Sequence, residues 1–191
     1  MPGMEKGILL DLDGVTFKLV DHFGEHGVSA RVESEIKIVD GLSNVLDELQ
    51  ALKYVIVGCT NQPDLSRGKI TLEFLSLKHS LLLRKYPQIQ EVFVCSHTET
   101  DLCTCRKPKP GLLRQAGKKY NLDFSVSWMI GDSRGDIEAG ALVHAKTILI
   151  QTPYNCGNPA IDIATAIAKD AKGALSLILA LEKGVKNTDD A

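Results

Sequence analysis

The segment Gly7-Ile8-Leu9-Leu10-Asp11-Leu12-Asp13-Gly14 joins a short apolar run to an acidic turn. Its first four residues show no alternation of polar and apolar positions, which indicates a strand buried on both faces. Two aspartates lie just after the end of this run, and the glycine that follows them allows a tight turn. A buried strand with carboxylates at its carboxyl end is typical of α/β folds, in which ligands bind at that edge of the sheet.

The same alternation of elements continues along the chain. Short apolar runs predict further strands over 54–59, 91–95, 126–130 and 147–150, and helical spacing predicts helices over about 41–53, 67–86, 110–120, 137–143 and 171–183. Buried strands separated by helices predict an α/β fold with a Rossmann-like parallel sheet covered on both faces. We expect one domain over 1–184, with loops and no second domain to grip a substrate, and a disordered tail over 185–191.

Composition narrows the choice of partners. The 191 residues include 22 Lys and Arg against 24 Asp and Glu, which gives a net charge of −2 and no basic field for a nucleic acid. No apolar run reaches the length of a membrane span, and the start of the chain does not resemble a signal peptide. We therefore expect a cytoplasmic monomer without a nucleic-acid or membrane partner.

The most specific motif is a cluster of soft ligands, formed by Cys95, His97, Cys103 and Cys105. Three thiolates and one imidazole would fill all four positions of a tetrahedral zinc ion, which makes the predicted zinc structural. Disulfides are the alternative use of cysteine, but they suit secreted chains, and a chance reduced cluster is the other. Of the remaining cysteines, Cys59 is predicted to be a small buried hydrophobe and Cys156 has no assigned role.

Two acidic turns point to phosphoryl chemistry. Of Asp11 and Asp13, one carboxylate can attack phosphorus while the other exchanges a proton with the oxygens that it meets. The second turn, 131–136, follows a later predicted strand, and its Asp132 could share a magnesium ion with Asp11. Asp136 could have a direct role or could simply cap the next helix. Acidic turns are common by themselves, so the prediction of catalysis depends on their occurring together with the other motifs.

Polar groups follow two other predicted strands. Thr60 and Asn61 could offer a hydroxyl, an amide or backbone N–H groups to phosphate oxygens. Lys107 or Lys109, directly behind the cysteine cluster, could neutralise the charge that spreads over a transferring phosphoryl group. A solvated basic loop is the alternative for the two lysines.

Taken together, these motifs resemble the capless phosphatases of the haloacid dehalogenase (HAD) superfamily, over about residues 7–150. Within it the chain is similar to the branch that acts on heptose 1,7-bisphosphate and to the related histidinol-phosphate phosphatases. The most distinctive shared segments are Val39-Asp40-Gly41-Leu42, Thr60-Asn61-Gln62, Arg67-Gly68-Lys69, and the zinc loop through Arg106-Lys107-Pro108-Lys109-Pro110-Gly111. The resemblance implies a HAD fold without a cap domain and a magnesium-dependent hydrolysis of phosphate monoesters.

The resemblance also implies a role for each residue of the first acidic turn. Asp11 would be the nucleophile that forms an aspartyl-phosphate, and Asp13 the general acid and base. Mg²⁺ would be held by the Asp11 side chain, the Asp13 backbone carbonyl and the Asp132 side chain.

The substrate-binding residues follow from the same resemblance. Thr60 and Lys107 would hold the transferring phosphoryl group, with Asn61 beside them, and Arg106 would hold a distal part of the substrate. The family pattern thereby favours Lys107 over Lys109 as the catalytic cation.

The chain departs from the usual family pattern at Leu12, at Val15-Thr16-Phe17 and at Ser133, and residues 17–38 are expected to form a divergent specificity loop. None of these positions belongs to the phosphoryl-transfer set. We therefore expect a sugar phosphatase, with heptose 1,7-bisphosphate as the leading substrate and histidinol phosphate as the alternative. A non-catalytic zinc module that binds a protein, and a nucleic-acid end phosphatase, are the alternatives from other classes.

Overall fold

A computed structural model describes residues 3–22, 24–155 and 159–186 of the chain. Within those ranges the strands are β1 (Lys6–Leu10), β2 (Val20–His22), β3 (Glu25–Val28), β4 (Tyr54–Asn61), β5 (Ile89–Cys95), β6 (Trp128–Gly131), β7 (Lys146–Ile150) and β8 (Ala166–Ala168). The helices are α1 (Ser43–Ala51), α2 (Pro63–Ser66), α3 (Leu72–Lys85), α4 (Gly111–Tyr120), α5 (Arg134–Leu142) and α6 (Ala171–Lys186).

Six of the strands form one sheet in the order β5-β4-β1-β6-β7-β8, and every neighbouring pair in it is parallel. The chain moves outward from β1 to β4 and β5 on one side, and then to β6, β7 and β8 on the other. The order of the strands thus reverses at β1, which opens a crevice at the carboxyl ends of β1, β4 and β6. The predicted parallel α/β fold is confirmed.

Helices cover both faces of the sheet because the central strands are apolar on both. Ile8 and Leu10 of β1 pack in one core cluster with residues of α1, α3 and α6. Leu9, which points the opposite way, packs in a second cluster with residues of α4 and α5. Each of these three β1 side chains is at most 1% exposed. The result is the expected arrangement of three layers.

The boundaries of several elements differ from the predicted ones. The helix expected over 67–86 begins later, at Leu72, because the chain turns at Gly68 with a φ of +67° and α3 begins after Thr71. The Thr71 hydroxyl accepts the backbone N–H of Phe74 at 3.2 Å and so caps α3. Helix α5 begins at Arg134 and not at Ile137, because Ser133 and Asp136 form a capping box.

Three features were absent from the sequence prediction, namely strand β8, the short helix α2 and the antiparallel hairpin of β2 and β3. The hairpin lies within the segment expected to be a specificity loop, and it is the largest addition to the sheet-and-helix framework among the described residues. No cap domain is present in those ranges. Helix α6 continues to Lys186, and the rest of the predicted tail, like Cys156, lies outside the described residues. None of the helices described is long and apolar enough to cross a membrane.

Candidate active site

A cavity of about 410 Å³ opens at the carboxyl ends of the central strands. β1 leads directly into Asp11, β4 ends with Thr60 and Asn61, and β6 leads into Asp132. The fold therefore brings together groups that lie far apart in the sequence. All the predicted catalytic, phosphate-binding and magnesium-binding residues line this cavity, namely Asp11, Asp13, Thr60, Asn61, Arg106, Lys107 and Asp132.

Lys107 is the buried cation of the site. Its Nζ donates to Asp11 Oδ1 at 2.7 Å and to the Cys59 carbonyl at 2.6 Å, and lies 2.5 Å from Asp136 Oδ1. Although burial opposes its charge, the two carboxylates raise the pKa of Lys107 and keep it protonated. Lys109 instead points away, where its Nζ donates to the exposed Cys103 carbonyl. The geometry thus places Lys107, and not Lys109, against Asp11.

Three carboxylates form the floor of the cavity. Oxygens of Asp11, Asp132 and Asp136 all lie within 4.8 Å of one another. Burial, together with repulsion from neighbouring carboxylates, raises the pKa of Asp11 to about 7 and that of Asp132 to about 8. A bound cation would relieve the repulsion between these buried carboxylates, and Mg²⁺ prefers hard oxygen ligands of this kind.

Asp136 caps α5, which is one of the two roles that the sequence left open for it, and it also pairs with Lys107. Its Oδ2 accepts the Ser133 backbone N–H at 3.0 Å and the Ser133 hydroxyl at 2.6 Å, which caps α5. Its other oxygen forms the ion pair with Lys107. Because both oxygens are engaged, Asp11 and Asp132 are the carboxylates of this floor that are better placed to hold a metal ion.

Gly14 allows Asp132 to approach the first acidic turn. It has a φ of +84°, a conformation that side-chain-bearing residues rarely adopt. A Cβ at this position would lie 2.0 Å from Asp132 Oδ2. The glycine of the first acidic turn is therefore required both by the backbone and by the close packing of the second.

Asp13 is held by two residues that the sequence analysis did not assign. Lys78 Nζ donates to its Oδ1 at 2.5 Å, and Gln62 Nε2 donates to its Oδ2 at 2.7 Å. Burial alone would raise the pKa of Asp13, but the charge and hydrogen bond of Lys78, with the bond from Gln62, lower it overall. A signal for Lys78 did exist, because it lies between Leu75 and Leu82 on the buried face of α3, where a lysine needs a partner.

The residues at the end of β4 hold the surrounding groups in place. Gln62 Nε2 also donates to the Thr60 hydroxyl at 3.0 Å, which ties Thr60 to the network of Asp13. The Asn61 side chain donates to the Lys107 carbonyl at 3.0 Å and accepts the Lys107 backbone N–H at 3.1 Å. The amide of Asn61 is therefore used to position Lys107, and phosphate binding by Asn61 stays a prediction.

The predicted zinc ligands converge on one point. All four donor atoms lie within 4.8 Å of one another. Cys95 Sγ is 3.4 Å from His97 Nδ1, 3.2 Å from Cys105 Sγ and 4.0 Å from Cys103 Sγ. Tetrahedral coordination with Zn–S bonds of about 2.3 Å would separate two sulfurs by about 3.8 Å. The donor set and its spacing fit a closed zinc site.

The same loop carries two of the cations that line the cavity, Arg106 and Lys107. The backbone N–H of Arg106 donates to Cys103 Sγ at 3.4 Å, a contact of the kind that orients metal ligands. The Arg106 side chain donates to the His97 carbonyl at 3.3 Å and pairs with Glu99. A metal bound here would fix the loop that presents Arg106 and Lys107 to the cavity.

Cys59 is fully buried, as predicted, and is not part of this cluster. Burial raises the pKa of its thiol to about 12, so it stays a neutral, apolar group.

Comparisons with known proteins agree with this geometry. A family model described as HAD-hydrolase-like matches residues 104–170. D-glycero-β-D-manno-heptose-1,7-bisphosphate 7-phosphatase of Pasteurella multocida is 32% identical over 96% of this chain and 100% of its own length. The enzyme of that name from Pseudomonas aeruginosa is 30% identical over 76% of this chain and 80% of its own length.

A solved structure shares the fold closely. The D,D-heptose 1,7-bisphosphate phosphatase of B. bronchiseptica, complexed with magnesium and phosphate, superposes with a TM-score of 0.77 at 27% identity. The match covers 91% of this chain and 98% of that one.

Proposed function

We propose that this chain, which belongs to the heptose-bisphosphate phosphatase family of HAD-like hydrolases, removes the 7-phosphate of D-glycero-D-manno-heptose 1,7-bisphosphate. The observation that carries the proposal is the buried cluster in which Lys107 contacts Asp11 at 2.7 Å and Asp11 faces Asp132. Relatives named heptose-1,7-bisphosphate 7-phosphatase match the chain over most of their length. A nucleophilic carboxylate, a buried cation and a metal-binding carboxylate in one cavity suit phosphoryl transfer.

The floor of the cavity would hold one magnesium ion. Its ligands would be the Asp11 and Asp132 side chains and the Asp13 backbone carbonyl. When bound, Mg²⁺ supplies positive charge that offsets the charge of the phosphoryl oxygens. The Thr60 hydroxyl and the Lys107 ammonium would bind the remaining oxygens of the same group, and Asn61 keeps the Lys107 backbone in place.

In the first step an Asp11 oxygen attacks phosphorus while the bond between phosphorus and the sugar oxygen breaks. Asp13 gives the sugar oxygen its proton, which leaves an aspartyl-phosphate on Asp11. Lys78 favours the ionised form of Asp13, so the negatively charged substrate must favour its protonation on entry.

In the second step water attacks the phosphorus of the aspartyl-phosphate. Asp13 takes the proton of the water, and the bond between phosphorus and Asp11 breaks. Inorganic phosphate leaves, and Asp11 and the protonated Asp13 are ready for the next cycle.

The zinc site has a structural role in this proposal. Zinc bound by Cys95, His97, Cys103 and Cys105 would have no open position for water. It would hold the loop that carries Arg106 against the cavity, where a guanidinium suits a bidentate grip on a distal phosphate. A bound zinc would thus replace part of the support that a cap domain gives in larger phosphatases.

The proposal is tested by following the purified protein with heptose 1,7-bisphosphate and Mg²⁺ by ³¹P NMR. We expect loss of the 7-phosphate signal and retention of the 1-phosphate signal. Asp11→Asn keeps the shape of the side chain but removes the nucleophile, so turnover should fall to background. Asp123→Asn, at a partly buried capping residue that does not line the cavity, is the matched control and should keep full turnover.

Two results would contradict the proposal. One is loss of the 1-phosphate in place of the 7-phosphate, which would assign a different substrate orientation. The other is an Asp11→Asn variant that keeps most of its turnover, which would show that Asp11 is not the nucleophile.

A further inference from the structure

A chain of ion pairs runs around the mouth of the cavity. It connects the β2–β3 hairpin, the end of α2 and the zinc loop, three segments that are distant in the sequence. Four cations alternate with three carboxylates in it, so the mouth has a net positive charge while the floor is acidic. In order, its members are Lys69, Glu25, Arg31, Asp64, Arg67, Glu99 and Arg106.

Arg67 lies between Asp64 and Glu99 in this series of ion pairs and has no role in the proposed reaction. It follows α2 directly and lines the cavity. Its guanidinium is held from two sides, by Asp64 at 3.3 Å and by Glu99 at 2.6 Å. Asp64 is itself nearly buried and receives a second bond from Arg31 at 2.7 Å, so the anchor of Arg67 is fixed.

Arg106 is placed in the same way from the opposite side. It also lines the cavity, and it pairs with the second carboxylate oxygen of Glu99. Two guanidiniums that share one carboxylate must lie close together, and both face the same space. The Arg67 side chain is 38% exposed and is therefore accessible to a ligand, whereas Arg31 is 9% exposed and has both its Nε and one NH₂ group engaged.

We propose that Arg67 is a second specificity-determining residue, which binds the distal phosphate of the substrate together with Arg106. This inference rests on the proposed function, because the distal group is the phosphate that is not transferred. The transferred phosphate belongs at Asp11 and Lys107 on the floor, whereas the two arginines lie at the mouth. A pair of planar guanidiniums on a rigid support suits a dianionic phosphate, and Glu99 keeps the pair assembled.

The test compares two substrates that differ only in the distal group, heptose 1,7-bisphosphate and heptose 7-phosphate. Arg67→Ala should lower kcat/KM for the bisphosphate by roughly 10- to 100-fold, the effect of losing a charge-assisted hydrogen bond. It should change kcat/KM for heptose 7-phosphate less than about twofold. Arg67→Lys, which keeps the charge without the planar fork, should fall between Arg67→Ala and the wild type.

Arg84→Ala is the matched control, since it removes an exposed arginine of α3 away from the cavity and should leave both substrates unaffected. Equal losses for the two substrates, or no loss for either, would overturn the role of Arg67. Thermal unfolding checks that each variant is folded, and the lysine variant decides the question should the alanine variant unfold.

Failure of the proposed function would look different. In that case the wild-type protein would hydrolyse p-nitrophenyl phosphate but show no preference for the bisphosphate over heptose 7-phosphate. The distal phosphate would then have no part in substrate recognition. That result is visible before any Arg67 variant is made.

Discussion

The buried ion pair between Lys78 and Asp13 gives a sharp prediction about stability. The two side chains are 1% and 10% exposed, and their charged atoms lie 2.5 Å apart. Lys78→Met keeps a long unbranched side chain but removes the ammonium, so Asp13 is left with hydrogen bonds from Gln62 and Ser29 as compensation for its burial. Removing one partner of such a pair costs about 3–5 kcal/mol of unfolding free energy.

Urea unfolding at pH 7.5 measures this cost, and the same helix supplies the control. Lys85 also pairs with an aspartate, Asp40, but that carboxylate is 87% exposed. Lys85→Met should therefore cost at most about 1 kcal/mol. A Lys78→Met variant that is no less stable than Lys85→Met would refute the reasoning.

A double-mutant cycle with Asp13→Asn separates the pair from simple packing. The double variant buries neither charge, so its loss of unfolding free energy should be smaller than the sum of the single losses by about 2 kcal/mol or more. Additive losses would show that Lys78 contributes to stability independently of Asp13.

Three further predictions concern zinc, acid stability and the glycine of the first acidic turn. Metal analysis of protein prepared without chelator should find about one zinc per chain, and Cys103→Ser should lower both zinc content and Tm; protein without zinc would contradict the assignment. Burial, aided by the charge of Lys78, lowers the pKa of His79 to about 4. Since His79 in the unfolded chain binds a proton near pH 6.5, the unfolding free energy should fall as the pH drops from 6.5 to 4, by about 2 kcal/mol at pH 5. The His79→Gln variant should lack this part of the fall. Equal falls in the variant and the wild type would contradict the role of His79 in acid stability. Gly14→Ala should push Asp132 out of place and raise the Mg²⁺ concentration needed for half-maximal activity at least about tenfold, and an unchanged requirement would show that the turn relaxes without moving Asp132.

The central fold could be predicted because the inner strands of a parallel sheet are apolar on both faces. Continuous runs such as 7–10 and 147–150 have few other interpretations in a chain of this length. Strand β8 and the β2–β3 hairpin have only three or four residues each and are partly exposed, so they leave no such pattern. The break between α2 and α3 did have signals, in Gly68 and the capping Thr71.

Several side chains of the candidate site could be predicted for a related reason. Asp11, Thr60 and Asp132 each follow a recognisable strand, and parallel strands end at a common edge. Lys78 is different, because its partner Asp13 is 65 positions away and reaches it through the packing of α3. The ion pair of Arg67 with Glu99 likewise depends on how the end of α2 meets the zinc loop, which local patterns do not encode.

The acidic residues of the zinc loop bear on the choice of substrate. Histidinol phosphate carries a cationic amine and an imidazole, which an acidic wall would suit. In the structure, however, Glu99 is paired with Arg67 and Arg106, and Asp101 accepts hydrogen bonds from Thr98. Both carboxylates are thereby engaged within the protein, while the guanidiniums face the cavity.

The most direct test of the central claim is the ratio of kcat/KM for heptose 1,7-bisphosphate to that for histidinol phosphate, measured on the wild-type protein with Mg²⁺. The account predicts a ratio well above one, and it predicts that Arg106→Ala lowers the ratio by weakening the bisphosphate reaction most. A ratio below one, unchanged in Arg106→Ala, would contradict the account and assign the chain to histidinol phosphate.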